Sequence, residues 1–285
     1  MTESSRLHRY EWLLLTLGFG TSTALVLRSG WLDRVTLHSL GVTVAFLIAC
    51  WILRTLKGDR IQKVRFLIGY FFVLWYYLSA GSFVVALQLP VRDAQLLAID
   101  EAICVVTPAI RFQSVQSYWL TELMSGCYLS YLVYLHAAMF YVVFASVDKV
   151  GRFANWILSV FAIGLPGYLL VPAIGPLFAY PELFEMPLVG GPITSFNSWV
   201  VHCGSTRFDA FPSLHVLITG ALLVYDYGQY PRRFAWLVVP SLGLFVSTIY
   251  LRYHYLVDLL ASIVLLILAL VLFRHRETSH ALPHR

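Results

Sequence analysis

Two short stretches of the sequence each place a histidine where an irregular polar segment gives way to a long apolar run. The first is Phe211-Pro-Ser-Leu-His215, and the second is Tyr250-Leu-Arg-Tyr-His-Tyr-Leu-Val-Asp258. Histidine has the side chain whose ordinary pKa lies closest to neutrality, so it can act as a nucleophile or move a proton at physiological pH. Two histidines at the mouths of apolar runs therefore indicate nucleophilic or proton-transfer chemistry at a membrane surface.

His254 and Asp258 are four residues apart, which places them on one face of a helix. The carboxylate can accept the ring N–H of His254 and fix its tautomer. An Asp inside an apolar helix is costly unless it is paired or functional. The other ring nitrogen of His254 would then attack phosphorus, and His215 would protonate the leaving oxygen. A lone histidine at an interface more often caps a helix or faces solvent, but the joint pattern favours catalysis.

A phosphate group also needs cations and amide donors. Ser213 follows a proline and is predicted to cap the start of a helix, where free N–H groups can bind an anion. Arg252 lies two residues before His254, and Arg207 shortly precedes His215. All three are candidate phosphate-binding residues, although either arginine could instead extend along the membrane interface with its charge in water.

Composition assigns the chain to the membrane proteins. Of its 285 residues, 59% are hydrophobic and only 12% are charged. The four cysteines have neither metal-ligand spacing nor the pattern of a disulfide framework. His202 with Cys203 supplies too few ligands for zinc, so the sequence predicts no metal site, and no cofactor is predicted. The net charge of +5 is explained by topology and by contact with membrane lipids, which leaves no case for nucleic acid.

Apolar runs of about 20 residues, the length that crosses a bilayer, recur along the chain. They cover residues 12–27, 37–53, 66–89, 120–147, 153–172, 213–230, 234–251 and 255–273. Because the backbone must satisfy its polar groups internally in lipid, each run is predicted to be a helix. The sequence therefore predicts an all-α polytopic bundle of about eight spans with a six-helix catalytic core.

The distribution of basic residues predicts the orientation. With both termini in the cytoplasm, only six of the 20 Lys and Arg residues lie outside and the other 14 lie inside. The six are Arg28, Arg34, Arg92, Arg111, Arg207 and Arg252. In this topology both histidines lie at the extracytoplasmic face, which is the lumenal face if the source is eukaryotic. A bacterial protein of this kind is expected in the cell membrane.

Two segments between the runs are not predicted to span. Residues 90–119 mix apolar and charged positions and are predicted to form one or two interfacial helices. Residues 173–212 are rich in Gly and Pro and are predicted to form the longest loop. The domain prediction is an N-terminal transmembrane hairpin at 1–65, a catalytic membrane domain at 66–273 and a basic cytoplasmic tail at 274–285.

The two histidine stretches resemble the paired motifs of the type-2 phosphatidic acid phosphatase superfamily. Pro-Ser-Leu-His215 and His254-Tyr-x-x-Asp258 are most similar to the branch that contains inositol phosphorylceramide synthases, and Ala173-Ile-Gly-Pro176 is similar to that branch's outer loop. The resemblance is specific over about 170–262. It implies a metal-independent enzyme in which His254 is the nucleophile, Asp258 its partner and His215 the acid.

The chain also departs from the superfamily. The lipid-phosphatase branches carry a basic motif before the first histidine that has no counterpart at the outer face here, and Leu214 stands where they have glycine. The phosphate site must therefore be built differently.

Three functions stay open at this point. With water as acceptor, an amphiphilic lipid phosphate would be hydrolysed by a lipid phosphatase. With a lipid or polyol hydroxyl as acceptor, the enzyme would be a phosphotransferase. A transporter or scaffold on the same fold would use neither histidine for catalysis. The sequence identifies no protein partner.

Overall fold

The computed structural model describes residues 6–274, and within that range the chain is helical with no β-strand. The predicted all-α class is confirmed. The basic tail predicted for 274–285 lies, apart from the backbone of residue 274, outside the described residues.

The helices follow the predicted runs to within a few residues in most cases. In chain order they are α1 Arg9–Ser29, α2 Arg34–Leu53, α3 Asp59–Leu87, α4 Asp93–Cys104, α5 Pro108–Arg111, α6 Tyr118–Val143, α7 Val147–Gly164, α8 Gly167–Leu170, α9 Pro176–Ala179, α10 Pro192–Gly204, α11 Leu214–Gln229, α12 Pro231–Tyr250 and α13 Leu256–Ala269. Short 3-10 turns cover Phe112–Val115 and Pro181–Leu183, and a π-helical turn, Leu270–Arg274, extends α13.

Seven of the described segments are long and apolar enough to cross a membrane. They are α1, α2, α3, α6, Val147–Leu170, α12 and Leu256–Phe273. The eighth predicted run forms α11, whose 16 residues rise only about 24 Å, less than the roughly 30 Å of a bilayer core. Helix α11 nevertheless lies inside the bundle, where it packs against α6, α7, α12 and α13.

The core of the bundle surrounds α7. This helix packs against α1, α3, α11 and α13, and its side chains are buried on most sides. Large apolar side chains from α1, α3, α7 and α11 fill the contact, among them Tyr10, Phe66, Phe153, Ile157 and Leu217. Close packing of this kind fixes α11, which carries the first histidine.

The N-terminal hairpin is tied to the bundle by a buried ion pair. The Glu11 carboxylate accepts hydrogen bonds from Arg65 on α3 at 2.9 and 2.5 Å, and both side chains are about 1% exposed. An unpaired charge at this depth would cost several kcal/mol. Helix α1 is therefore held against α3 at the end of the bundle from which both the N-terminus and the π-helical turn emerge.

The prediction of one long loop over 173–212 is wrong for Pro192–Gly204, because these residues form α10. The first turn of this helix is held by Glu122 on α6, whose carboxylate accepts the backbone N–H groups of Gly191, Ile193 and Thr194 at 2.7 to 3.2 Å. A helix start offers unpaired N–H groups that a carboxylate satisfies well. Residues 90–119 form helices as predicted.

Candidate active site

The fold brings the two predicted histidines together. His215 lies in the first turn of α11, His254 lies in the turn between α12 and α13, and their ring centroids are 5.7 Å apart. Both rings line one cavity of about 230 Å³. The His215 ring also lies between Tyr128 and Tyr131, at 4.5 Å from each ring centroid.

The hydrogen bonds of His254 determine its tautomer. Its Nδ1 lies 2.8 Å from the carbonyl oxygen of Ala210 and 3.3 Å from Oδ2 of Asp258. Both partners only accept hydrogen bonds when the carboxylate is ionised, so Nδ1 carries the hydrogen. Nε2 therefore keeps its lone pair, on a side chain that is only 3% exposed and borders the cavity.

Asp258 is placed by the start of α13. It is the third residue of the helix, and its Oδ2 also accepts the N–H of Tyr255 at 2.9 Å, as a capping residue does. Within residues 6–274 its Oδ1 has no hydrogen-bond partner. The same carboxylate thus caps a helix and contacts His254.

The turn that carries His254 is fixed by α9 and by the glycine that precedes it. The N–H of Leu177 donates to the carbonyl of Arg252 at 2.8 Å. Gly175 has a φ of +93°, and a Cβ at this position would lie 2.3 Å from the carbonyl oxygen of Tyr253. Only glycine permits both the backbone conformation and this close approach.

Two buried acids that the sequence analysis assigned to an interface hold the site in place. Asp93 accepts the N–H groups of Ile174 and Gly175 and the hydroxyl of Tyr255, at 2.9 Å to its nearest oxygen in each case. Asp100 accepts the N–H groups of the first two residues of α13 at 2.8 and 2.9 Å. The two acids are seven residues apart on one face of α4, a spacing that was readable in the sequence.

Ser213 lies at the N-cap position of α11, as predicted, but its hydroxyl does not cap the helix. Within the described residues this hydroxyl has no hydrogen-bond partner, and its backbone N–H donates to the carbonyl of Asp258 at 3.4 Å. Ser213 does not line the cavity. It is buried, and its backbone joins α11 to α13.

The structure does not bring Arg252 into the cavity, contrary to its predicted role. Its guanidinium is buried and donates to the Gln116 side chain at 2.8 Å and to the Met186 carbonyl at 2.9 Å. The guanidinium carbon lies 4.2 Å from the ring centroid of Phe184. Burial lowers the pKa of this guanidinium. Arg252 therefore ties together the segments before α6 and after α9.

Arg207 is also placed away from the histidines. It is exposed, has a left-handed φ of 75°, and borders a separate shallow groove with Asp33 and Ser82. The structure therefore does not bring Arg207 to the cavity that contains the two histidines.

The cavity wall is rich in aromatic side chains, and its basic groups are the histidines His136, His215 and His254. Among the described residues that line it, none is Lys or Arg. Six tyrosines contribute to the wall: Tyr70, Tyr77, Tyr128, Tyr131, Tyr168 and Tyr253. Asp209 supplies its one carboxylate. Over residues 6–274 no group of three or more His, Cys, Asp or Glu side chains is placed to hold a metal ion.

The cavity reaches the side of the bundle between α3 and α6. The backbones of these helices are not close together, although apolar side chains of both belong to the core, and the Tyr70 hydroxyl lies 3.3 Å from Nε2 of His136. His136 and Leu132 line the cavity and are also exposed on the outside of α6. The wall of the cavity is therefore exposed beside α6, and it is also exposed at Phe178 and Ser205.

Seven described helices that are long and apolar enough to cross a bilayer define an integral membrane protein. Residues 94–272, more than half of the chain, match the PAP2 superfamily, and the protein belongs to it. Members of this superfamily are typically phosphatases. The resemblance to the superfamily is thereby confirmed, while the inositol phosphorylceramide synthase branch stays a prediction. No curated protein and no solved structure matches the chain.

Proposed function

We propose that the protein cleaves or transfers the phosphoryl group of a lipid phosphate ester through a phosphohistidine at the extracytoplasmic face. The observation that carries this proposal is the geometry of His254. Its Nδ1 lies within hydrogen-bond distance of two acceptors, the Ala210 carbonyl and the Asp258 carboxylate, which leaves Nε2 with a free lone pair. The rings of His254 and His215 lie side by side in the cavity. A nucleophile oriented by a third group and facing an acid is the usual arrangement for covalent catalysis.

In the first half of the reaction, Nε2 of His254 attacks phosphorus and forms the N–P bond. The bond between phosphorus and the leaving oxygen breaks, and the protonated His215 ring gives its proton to that oxygen. The imidazole of His254 becomes cationic as the N–P bond forms. Asp258, 3.3 Å from Nδ1, stabilises that positive charge.

In the second half, an acceptor O–H attacks the phosphorus of the phosphohistidine. His215, now neutral, takes the proton of the acceptor, and the N–P bond breaks to restore His254. Water as acceptor gives inorganic phosphate from a monoester. A lipid or polyol hydroxyl as acceptor gives a new phosphate ester.

The shape of the cavity supports an amphiphilic substrate. Its apolar wall and its opening between α3 and α6 allow a lipid chain to remain in the bilayer while the phosphate meets the histidines. The orientation rests on the 14 basic residues that the proposed topology places in the cytoplasm, against six outside.

One observation favours transfer of a phospho-headgroup, as inositol phosphorylceramide synthases carry out, over hydrolysis of a monoester. No Lys or Arg lines the described cavity wall. A phosphate monoester carries nearly two negative charges near neutral pH, whereas a phosphodiester carries one. A cavity poor in cations stabilises the singly charged diester better.

The proposal is tested on purified protein in lipid nanodiscs, in the presence of a chelator, with lipid monoesters and diesters as substrates. Free phosphate and lipid products are followed by mass spectrometry for wild type, His254→Ala and His215→Ala. His38→Ala, a histidine outside the cavity, is the matched control. We expect turnover by wild type and the control, none by His254→Ala, and an acid-labile phosphoprotein that His254→Ala does not form.

Release of free phosphate would establish a phosphatase, and a new phospholipid without free phosphate would establish a transferase. Equal turnover by wild type and His254→Ala would overturn the chemistry. Absence of turnover with every substrate, combined with binding or transport of a solute, would instead support the non-catalytic alternative.

A further inference from the structure

Asp209 places an uncompensated negative charge in the cavity wall. Its carboxylate accepts the Tyr77 hydroxyl at 2.6 Å, the Ser205 hydroxyl at 2.8 Å and the N–H of Thr206 at 3.2 Å. All three donors are neutral. Within residues 6–274 no Lys, Arg or His forms an ion pair with it. A carboxylate in an apolar, half-enclosed site retains a strong demand for a positive partner.

The same residue lines the cavity that contains both histidines. Asp209 immediately precedes Ala210, whose carbonyl accepts the hydrogen bond from His254. Both Asp209 and His254 line the cavity. A phosphoryl group bound by the histidines is itself anionic, and a neighbouring carboxylate disfavours it unless the ligand brings its own positive charge.

Aromatic rings line the cavity near this carboxylate. The ring centroids of Tyr77 and Tyr168 are 6.0 Å apart, and those of Tyr128 and Tyr253 are 4.9 Å apart. Aromatic faces attract alkylammonium groups, and an aromatic wall combined with one anion is a common way to bind them. Arg and Lys side chains, which would bind an anion instead, are absent from the described wall.

An uncharged polyol gains less from the Asp209 carboxylate than a cation does. It would need several directional hydrogen bonds, but the Asp209 oxygens already accept three. Those bonds occupy acceptor positions without neutralising the charge. An alkylammonium group is attracted by the negative charge of Asp209 and by the faces of the tyrosine rings, and neither attraction requires another hydrogen-bond acceptor.

We propose that the cavity binds an alkylammonium group next to the phosphoryl group, with Asp209 as its counterion and the tyrosine rings as its walls. The ammonium belongs either to the headgroup of the phosphate donor or to an amino-alcohol acceptor. This inference rests on the proposed function for the use of the site, but its test measures binding and needs no turnover.

The test compares ligands that differ only in charge. Wild-type protein in detergent is titrated with a short-chain phosphocholine lipid and with its isostere, in which a tert-butyl group replaces the trimethylammonium. A second arm uses free choline and the corresponding neutral alcohol. We expect wild type to prefer the ammonium ligand by about tenfold or more in at least one arm. The arm with the preference identifies the donor or the acceptor as the source.

Asp209→Asn keeps the size of the side chain and removes its charge, so we expect the preference to fall below about twofold. Glu122→Gln, which loosens the other end of α10, is the matched control and should keep the preference. Equal binding of the two wild-type ligands in both arms overturns the inference, as does a preference that survives in Asp209→Asn. The ligand comparison on wild type needs no variant to fold.

The two proposals fail separately. A charge preference together with full activity of His254→Ala would retain the ammonium site and refute the phosphohistidine. No charge preference together with turnover that depends on His254 would do the reverse.

Discussion

Replacement of Asp258 by Asn tests how much of the proposed chemistry depends on its charge. The amide keeps the size of the carboxylate, and its oxygen can still accept the N–H of Tyr255 that caps α13. The shorter hydrogen bond of His254, to the carbonyl of Ala210 at 2.8 Å, is untouched. The tautomer of His254 should therefore survive, and only the stabilisation of its cationic form should be lost.

The size of the effect follows from the distance. Two unit charges 3.3 Å apart interact by about 5 kcal/mol at an effective dielectric constant of about 20. Relaxation of the neighbouring dipoles and of water in the open cavity reduces this, so we expect about 3 kcal/mol in the transition state. That corresponds to a roughly hundredfold fall in kcat/KM.

The assay follows turnover of the best lipid phosphate by Asp258→Asn and by Asp226→Asn. Asp226 is equally buried and is bonded to Tyr134 and Arg233, but it lies near the opposite end of α11 from His215. The two variants lose a comparable buried charge, and only the first loses it beside a histidine. Thermal unfolding of both shows that each is folded at the assay temperature.

A fall of less than about threefold in folded Asp258→Asn would refute the electrostatic role. The carbonyl of Ala210 would then be the group that orients His254. An equal fall in both variants would mean that the loss comes from stability and not from the site.

Three further outcomes follow from the structure. Asp100→Ala leaves the N–H groups at the start of α13 without an acceptor, so it should cost about 3 kcal/mol and lower the apparent Tm by roughly 6 °C in a thermal scan. Gly175→Ala forces a Cβ against the carbonyl before His254 and should abolish activity, whereas Gly20→Ala, which meets no neighbour, should not change it. Burial lowers the pKa of the His8 imidazole, so the unfolded chain binds its proton more readily and stability should fall as pH drops below about 6.5.

Each of these outcomes has a result that would contradict it. An unchanged Tm in Asp100→Ala would mean that water replaces the carboxylate. Equal activity of the two alanine variants would show that the turn tolerates displacement. For His8, a His8→Gln variant with the same loss of stability on acidification would assign that loss to another group.

Much of the fold was predictable because lipid restricts a spanning backbone to helices. The apolar runs predicted α1 to α3, α6, α7 and α11 to α13, and the direction of each run placed both histidines at one end of the bundle. Helical spacing predicted the pairing of His254 with Asp258, but in the structure His254 precedes α13 and Asp258 contacts it from the first turn of that helix. These predictions rest on local patterns, which a single sequence displays directly.

The parts that failed depend on contacts between distant residues. Arg252 is two residues from His254 in sequence, but its left-handed backbone, φ 67°, turns its guanidinium toward Gln116. Helix α10 has a Gly- and Pro-rich start that predicts a loop, and a carboxylate on α6 stabilises it. Asp93 and Asp100 have the sequence pattern of interfacial charges, because the backbone N–H groups that they accept lie at least 81 and 156 residues further along the chain.

The gap between α3 and α6 has a kinetic consequence. A substrate that reaches the histidines from the side never leaves the bilayer. The concentration that the enzyme encounters is then the surface concentration of substrate in the membrane. Its rate should depend on the mole fraction of substrate in the membrane and should fall when inert lipid is added at constant bulk concentration. Membrane thickness and chain length then become determinants of activity alongside the headgroup.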